Sequence, residues 1–253
     1  MKEKEKLLKN TSLSRIKNWI ENENDQEKKE VFRCFKSEKM NFDNNKMSEE
    51  IKVIDQNLLN VNGFIPYTKK IKDSLERGSI VVQRSYAEFD NRYRQLVSNG
   101  IILVYNEKEN KYYFGFQKRK SNYAEISLSG TLGMVGGHVN VLDNTIYEGL
   151  LREISEELKG FSFEESIIKP VGFINEKHRI ANISDYHLCV AYIIKIPFED
   201  MGKIKNRESQ EQLLWISETE LVAKLKDESQ NEMDSWVEIL LNEILIKKSI
   251  DIS

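Results

Sequence analysis

The stretch GGHVNVLDNTIYEGLLREISEELKG, residues 136–160, carries three glutamates near its end. On a helix of 3.6 residues per turn, Glu153, Glu156 and Glu157 fall within one sector of roughly 100°. Such a cluster is most often a solvated face. Glu153 and Glu157, however, repel each other at a spacing of four residues by roughly 0.2–0.5 kcal/mol, where a lysine would have been favourable. A bound cation would remove that repulsion.

A helix is predicted over this stretch. Thr145 followed by Glu148 has the spacing of a capping box, which places the helix start near Thr145, and Gly160 stops it. The apolar residues form a different sector and are expected to pack on the core: Tyr147, Leu151, Ile154 and Leu158. The expected geometry is a helix that lies on a sheet and presents its charged edge to a cleft.

Glycines precede the acids in GMVGGHV, where Gly133, Gly136 and Gly137 allow the backbone to approach an ion or a phosphate closely. Their carbonyls can add to the carboxylate oxygens as ligands. Mg²⁺ favours oxygen ligands of this kind, completed by water and substrate phosphates. A glycine loop followed by three clustered acids therefore predicts a site for a metal ion and phosphate.

The segment GGHV followed by REISEEL resembles the Nudix box, whose pattern is Gly, five residues, Glu, seven residues, then Arg-Glu-apolar-any-Glu-Glu-any-Gly-apolar. The second half matches at Arg152, Glu153, Ile154, Glu156 and Glu157. The flanking sequence from about residue 86 to the C-terminus also resembles one branch of predicted Nudix phosphohydrolases. Its matching stretches are AEFDNRYRQLVSNGIILVY, EISLSGTLGMVGGH and VGFINEKHRIANISDYHLCVAYIIKIP.

The first half of the box departs from the pattern. Counting back from Arg152 puts the box glutamate at Asn144 and the glycine at His138, whereas counting forward from Gly137 puts the glutamate at Asp143 with one residue looped out. Asp143 is the better candidate because Asn144 carries no charge. The terminal glycine is also displaced by one position.

The resemblance implies the Nudix fold, an α/β/α sandwich with a mixed central sheet. It also implies hydrolysis of the diphosphate linkage in a nucleoside diphosphate joined to another group, with Mg²⁺ or Mn²⁺ as cofactor. The implied metal ligands are Glu153, Glu156, Glu157 and Gly137. Arg152 completes the implied catalytic set by holding an acid through a fork-shaped hydrogen bond. The alternative for Arg152 is a weak surface ion pair with Glu148.

Other polar residues are assigned by position. The substrate contacts proposed are Arg119, His138, Gly136 and Gly137. A general base could be a helix glutamate or a later acid: Glu176, Glu208 or Glu211. His187 is expected to be structural and His178 to lie in a polar loop. Aromatic residues that could stack a base, or simply pack, are Tyr112, Phe114, Phe116 and Tyr123.

Composition narrows the class of protein. Among 253 residues, 38 Lys and Arg and 41 Asp and Glu are interleaved, giving a net charge of -3, which argues against a duplex nucleic acid partner. The two cysteines, Cys34 and Cys189, have no zinc or disulfide spacing. Neither a signal peptide nor a membrane span is indicated. A cytoplasmic protein without a membrane partner is expected.

The chain divides into two predicted parts. Residues 1–62 are charged and are expected to form a helical extension, with apolar stripes in IKNWI and in a helix over EIKVIDQNLL. Residues 63–253 form the main domain. Strand-like runs, including a hairpin of IILVYN and KYYFGFQKR, alternate there with helices at SETELVAKLK and EMDSWVEILLNEILIKK. This mixture predicts an α/β or α+β layered fold with a mixed sheet.

Two other functions stay open from the sequence. A protein with a Nudix fold could bind a nucleotide such as ADP-ribose as a sensor, without turnover. The departures in the first half of the box favour this alternative, whereas the intact acids argue against it. Alternatively, the extension could serve as an interaction module that pairs two copies of the chain into a homodimer. Metal-dependent turnover separates the first alternative from the hydrolase, and the solution mass after removal of the extension tests the second.

Overall fold

The computed structural model describes residues 48–59, 63–87, 92–118, 131–175, 187–227 and 233–252. The strands of the main sheet are β1 (Glu50–Asp55), β2 (Gly63–Pro66), β3 (Ile80–Gln83), β4 (Tyr93–Asn106), β5 (Lys111–Lys118), β6 (Leu132–Gly133), β7 (Val135–His138), β9 (Ile167–Asn175), β10 (His187–Lys195) and β12 (Leu214–Ser217). These strands follow the order β12-β5-β4-β10-β9-β2, with β1 and β7 also on β4, β3 on β1 and β6 on β5. β8 (Leu158–Lys159) and β11 (Lys205–Asn206) form a separate pair. The main sheet is mixed because β4 and β10 run parallel while its other pairs are antiparallel.

Helices cover both faces of the sheet. They are α1 (Lys69–Gly78), α2 (Arg84–Ala87), α3 (Ile146–Glu157), α4 (Glu218–Lys226) and α5 (Ser235–Leu241), the last continued by a π-helical turn, Asn242–Ile246. Along β4, Leu96 and Ile102 pack in one core with Leu150 of α3. Val97, Ile101 and Leu103 of β4 point to the opposite face and pack in a second core that contains α5. Because successive strand residues point to opposite faces, one strand builds both cores. The predicted α/β/α sandwich with a mixed sheet is confirmed.

The predicted hairpin is also present. β4 and β5 pair from Ile102 opposite Gly115 to Asn106 opposite Lys111. The connecting turn ends at Asn110, which has a positive φ of 52°. Asparagine tolerates this conformation better than most residues, so Asn110 itself favours the turn that the sequence predicts at this place.

The helix that carries the acids, α3, begins as predicted. The Thr145 side chain accepts a hydrogen bond from the Glu148 backbone nitrogen. The Glu148 carboxylate binds the Asn144 backbone nitrogen at 2.8 Å instead of closing the predicted box on Thr145. The helix ends at Glu157, since Leu158 is extended, rather than continuing to Gly160.

The packing face of α3 differs from the prediction. The buried helix residues are Ile146, Gly149, Leu150 and Ile154. Tyr147, expected in the core, is 38% exposed, and Leu151 is only partly buried. The buried stripe is therefore rotated toward Gly149, because a glycine allows the helix to lie close to Val139 and Ser98.

The helix predicted over EIKVIDQNLL is wrong. Residues 50–55 form strand β1, which pairs antiparallel with β3 and with β4. Ile51, Val53 and Ile54 are fully buried. These β-branched residues fit a strand better than a helix, and β4 offers a free edge at Gln95 to receive them. Of the predicted extension over residues 1–62, residues 1–47, which include the IKNWI stripe, and residues 60–62 lie outside the described residues. In the described ranges, the helices are too short or too polar to cross a membrane.

Candidate active site

The acid helix α3 lies against β7, a glycine strand that the structure has where the sequence predicts a glycine loop. The Gly136 nitrogen donates to Glu157 Oε2 over 3.1 Å. A Cβ placed on Gly137 would lie 2.6–2.7 Å from the Glu153 carboxylate atoms, a distance that real Cβ atoms do not show. Glycine at Gly137 is therefore what lets a carboxylate approach the bare backbone. The prediction that glycines and acids meet at one place agrees with this geometry.

Arg152 binds four of its neighbours at once, including Glu156, whose carboxylate oxygens both lie 3.4 Å from its Nη1. Its Nε and Nη2 donate to the two Asp143 carboxylate oxygens, each over 3.0 Å. Its Nη1 donates to Glu153 Oε1 over 2.8 Å, and Nη2 also donates to the His138 carbonyl over 2.7 Å. The fork-shaped bond suggested from the sequence thus exists. Glu148, the alternative partner, instead accepts two hydrogen bonds from Asn144.

Asp143, the candidate for the displaced box carboxylate, is the buried acid that Arg152 binds. Its side chain is 4% exposed, and its Oδ2 also accepts from the Asn140 nitrogen over 2.8 Å. The extra residue of the box is absorbed in the turn before it, where Leu142 is 81% exposed. The charged Asp143, and not Asn144, therefore orients Arg152.

The three glutamates have different environments. Glu153 is mostly buried, whereas the Glu156 side chain is 58% exposed. Glu157 Oε2 accepts from Gln117 Nε2 over 2.7 Å, and Gln117 in turn accepts from Asn206. The roles of Gln117 and Asn206 could not be predicted from the sequence. Gln117 lies 40 positions from Glu157 and 89 positions from Asn206, so no local pattern indicates either contact.

Burial sets the protonation behaviour of this cluster. Burial raises the pKa of Glu153, and the charge and hydrogen bond of Arg152 partly oppose that rise. Burial alone would lower the pKa of Arg152, but hydrogen bonds and charge from Asp143 and Glu153 raise it overall. Arg152 therefore stays charged and favours the carboxylate form of Glu153.

The donor chemistry fits a hard divalent ion. Carboxylate oxygens lie beside a backbone that has no side chain in the way at Gly137. Among the residues that the structure describes, no three His, Cys, Asp or Glu side chains form a ready-made metal site. Arg152 holds Glu153 and Gln117 holds Glu157, while the more exposed Glu156 carboxylate lies 3.4 Å from Arg152 Nη1. Oxygen donors of this type suit Mg²⁺ or Mn²⁺.

Strand β1 supports the loop that leads into the acid helix. The Lys52 nitrogen donates to the Val139 carbonyl over 2.7 Å, and the Val141 nitrogen donates to the Glu50 carbonyl over 3.0 Å. The Lys52 side chain also donates to the Asp143 carbonyl. A segment expected to be a separate helix thus fixes the backbone on which Asp143 sits.

Helix α1 supplies a remote cap to the acid helix. Glu76 Oε1 accepts from the Ile146 nitrogen over 3.1 Å, and Lys72 holds the other Glu76 oxygen at 2.7 Å. The first backbone N–H groups of a helix have no partner within the helix, and a negative charge there is favourable.

Replacing Glu76 with alanine is therefore expected to lower the free energy of unfolding by about 1 kcal/mol, the usual value of a lost cap. Glu76→Gln keeps an oxygen acceptor and should lose less. Urea unfolding measures both changes, with Glu164→Gln, a change at an exposed glutamate, as the matched control. An unfolding midpoint for Glu76→Ala equal to that of the control would contradict the capping role.

The remaining predicted residues fall in three groups. Arg119, Glu176, His178 and Tyr123 lie outside the described residues. Glu208 and Glu211 are exposed in the segment after β11, which contacts the end of the acid helix through a 2.6 Å bond from the Arg207 nitrogen to the Glu157 carbonyl. Phe114 and Phe116 are fully buried in the core, and Tyr112 packs on Tyr105 with ring centres 4.9 Å apart.

Comparison with known proteins gives the class of fold. No protein-family model matches the sequence, and no curated protein matches it significantly. Among solved structures, Tm1382, described as a Nudix hydrolase, is 18% identical, with a TM-score of 0.57 over 78% of this chain and 98% of its own. A mutT/nudix family protein from Listeria innocua is 15% identical, with a TM-score of 0.46 over 61% of this chain and 94% of its own. The Nudix domain of Shewanella oneidensis NrtR, complexed with ADP ribose, is 13% identical, with a TM-score of 0.39 over 51% of this chain and 77% of its own.

The likeness to Tm1382 spans nearly the whole of that chain and confirms the fold expected from the box motif. The protein has the Nudix fold.

Proposed function

We propose that the protein is a metal-dependent hydrolase of the diphosphate linkage in a nucleoside diphosphate joined to another group. One observation carries the proposal: the Glu153 and Glu157 carboxylates lie directly on the Gly136 and Gly137 backbone. This places oxygen ligands beside a backbone open enough for a phosphate. Glycine strand, acid helix and orienting arginine together are what diphosphate hydrolysis requires.

The position of each residue indicates its proposed role. Glu153, Glu156, Glu157 and the Gly137 carbonyl would hold Mg²⁺ or Mn²⁺. The ion supplies charge neutralisation at the diphosphate and an acidified water. Arg152 orients Glu153, and its charge and hydrogen bond partly offset the rise that burial causes in the pKa of that carboxyl group. Gly136 and Gly137 leave room for the phosphates, and Arg119 is a proposed contact to them. The His138 side chain, the other contact expected from the sequence, instead bonds Gln95 on the opposite face of the sheet.

The test is product formation from a panel of diphosphate compounds with Mg²⁺ or Mn²⁺: nucleoside triphosphates, ADP-ribose, NAD, dinucleoside polyphosphates and sugar nucleotides. The wild type is expected to cleave at least one class. The double variant Glu156→Gln, Glu157→Gln should lose that activity by about 100-fold or more, because it removes two proposed ligands of the ion that neutralises charge at the transition state. The control variant Glu164→Gln should match the wild type.

A second candidate function is a nucleotide sensor without turnover. It is favoured by the protein contacts that already hold two of the acids, Arg152 on Glu153 and Gln117 on Glu157. Calorimetric binding of ADP-ribose by folded protein that cleaves no compound in the panel would favour the sensor. Cleavage that depends on the metal and on Glu156 and Glu157 would exclude it.

A further inference from the structure

A row of hydrogen bonds connects a loop to the last glutamate of the acid helix. Asn206 Oδ1 accepts from the backbone nitrogens of Glu208 and Ser209 over 3.0 and 2.9 Å. Asn206 Nδ2 donates to Gln117 Oε1, and Gln117 Nε2 donates to Glu157 Oε2 over 2.7 Å. The side chains of Gln117 and Asn206, here called the amide relay, thus join the loop after β11 to a carboxylate of the candidate active site.

The orientation of both amides is fixed by their outer partners. Backbone N–H groups only donate, so Asn206 must turn its oxygen toward the loop and its nitrogen toward Gln117. A carboxylate only accepts, so Gln117 must turn its nitrogen toward Glu157. Exchanging oxygen and nitrogen on either amide would place two acceptors or two donors in contact. The hydrogen bonds therefore all point in one direction, from the loop to Glu157.

The fold brings the parts of the amide relay together from separate elements. Phe116 on β5 points into the second core, so Gln117, the next residue, faces the acid helix. Asn206 lies on β11, which pairs with β8 directly after α3. The Arg207 nitrogen donates to the Glu157 carbonyl over 2.6 Å. Backbone bonds therefore fasten the loop to the end of α3 independently of the two amides.

Glu157 is held from two sides. Its Oε2 accepts from Gln117 Nε2 over 2.7 Å and from the Gly136 nitrogen over 3.1 Å. One donor belongs to β5 and the other to β7, so together they restrict rotation of the carboxylate. Carboxylates that bind metal ions are commonly held by such hydrogen bonds, and loss of the partner weakens metal binding 10- to 100-fold.

We propose that Gln117 and Asn206 are positioning residues that hold Glu157 in the orientation in which it binds the divalent ion. The inference rests on the proposed function, because the ion is the one assigned to the acid helix. Neither amide contacts the ion or the substrate; both act through Glu157. The contrasting role is purely structural, in which the two amides only fasten the loop to β5.

Mn²⁺ binding to the full-length protein tests the amide relay without turnover. The paramagnetic resonance of free Mn²⁺ measures the bound fraction. Binding that Glu156→Gln, Glu157→Gln removes belongs to the acid helix, and all other variants are compared on that part. Circular dichroism and urea unfolding show that each variant is folded under the conditions of the titration.

Asn206→Asp separates the two roles. The new carboxylate still accepts from the Glu208 and Ser209 nitrogens, so the loop keeps its bonds. It cannot donate to Gln117, whose amide must then turn its oxygen toward Glu157. Mn²⁺ binding should weaken about 10- to 100-fold. The added negative charge by itself would strengthen binding of a cation, so a loss reports the broken relay and not the charge.

Gln117→Met, which has a similar shape but no donor, should weaken Mn²⁺ binding to a similar extent. In that background, Asn206→Asp should change the affinity by less than about threefold, because the connection is already cut. Asn106→Asp is the matched control. Asn106 Oδ1 also accepts from two backbone nitrogens, those of Lys108 and Glu109, but in the turn between β4 and β5. This control should bind Mn²⁺ as the wild type does.

Four results would overturn the amide relay. They are equal Mn²⁺ binding by the wild type and Glu156→Gln, Glu157→Gln, unchanged binding by folded Asn206→Asp, unchanged binding by folded Gln117→Met, and losses that simply multiply in the combined variant. If Mn²⁺ binding follows the expected pattern but no diphosphate compound is cleaved, the proposed hydrolase fails and the amide relay stands. If compounds are cleaved while these variants bind Mn²⁺ normally, the amide relay fails and the hydrolase stands.

Discussion

Replacing Gly136 with alanine is expected to lower the free energy of unfolding by about 3 kcal/mol or more. Gly136 has a φ of +137°, which residues with a side chain rarely adopt. An added Cβ would lie 2.0 Å from the Ser98 carbonyl oxygen and 2.8 Å from the Asn99 Cα. These are backbone atoms of β4, so they cannot rotate away as a side chain could.

Gly136→Ala should alter the candidate active site as well as lower the stability of the fold. β7 would have to separate from β4, and the bond from the Gly136 nitrogen to Glu157 would be lost with it. Urea unfolding measures the stability, and cleavage of the best compound in the panel measures the site. Activity should fall even under conditions where the variant is still folded.

Gly202 provides the matched control. A Cβ added there meets no atom within 4 Å, and its φ lies outside the strained range. Gly202→Ala should change the free energy of unfolding by less than about 1 kcal/mol, in either direction. If Gly136→Ala and Gly202→Ala unfold at the same urea concentration, the close approach of β7 to β4 at Gly136 is contradicted.

The second large effect is expected for Asp143→Asn. This change removes the buried charge that faces Arg152, while Arg152 keeps its bonds to Glu153 and to the His138 carbonyl. Breaking a buried ion pair commonly costs 3–5 kcal/mol, and the remaining partners place the expected loss near about 3 kcal/mol. Arg152 would then be free to move, so Glu153 should lose its alignment and turnover should fall together with stability.

The control for this pair is Asp73→Asn. Asp73 contacts Lys72 at 3.8 Å, and both side chains are far more exposed than Asp143. Exposed pairs contribute about 0–1 kcal/mol, so the control should stay near the wild type in urea. If Asp143→Asn and Asp73→Asn lose the same free energy of unfolding, the buried pair of Asp143 and Arg152 stabilises the fold no more than an exposed pair does.

Local signals account for the parts of the site that the sequence predicts well. Thr145 caps α3 through a bond three residues away, and the glutamates of REISEE share one side because the helix repeat fixes their angles. The turn at Asn110 follows in the same way from residues that are neighbours in the chain. The α/β/α fold was accessible because alternating strands and helices, with the box motif, limit the layers that can form.

Other features could not be read from neighbouring residues. Ile51 lies in a strand and not a helix because β3 and β4 present edges that this segment completes. The pairing of Gln117 with Glu157 and of Glu76 with the start of α3 joins residues 40 and 70 positions apart. Such contacts depend on how the elements pack, since no periodicity within either segment indicates its partner.

The sequence alone thus determined the acid helix, the presence of glycines beside it and the class of fold, because helix repeat, capping and glycine freedom are properties of adjacent residues. Only the tertiary structure decided that Asp143 holds Arg152, that β1 belongs to the sheet and that His138 meets His187. Each of these contacts forms between segments distant in the chain. Strand register and burial, which arise only when the whole sheet is assembled, select them.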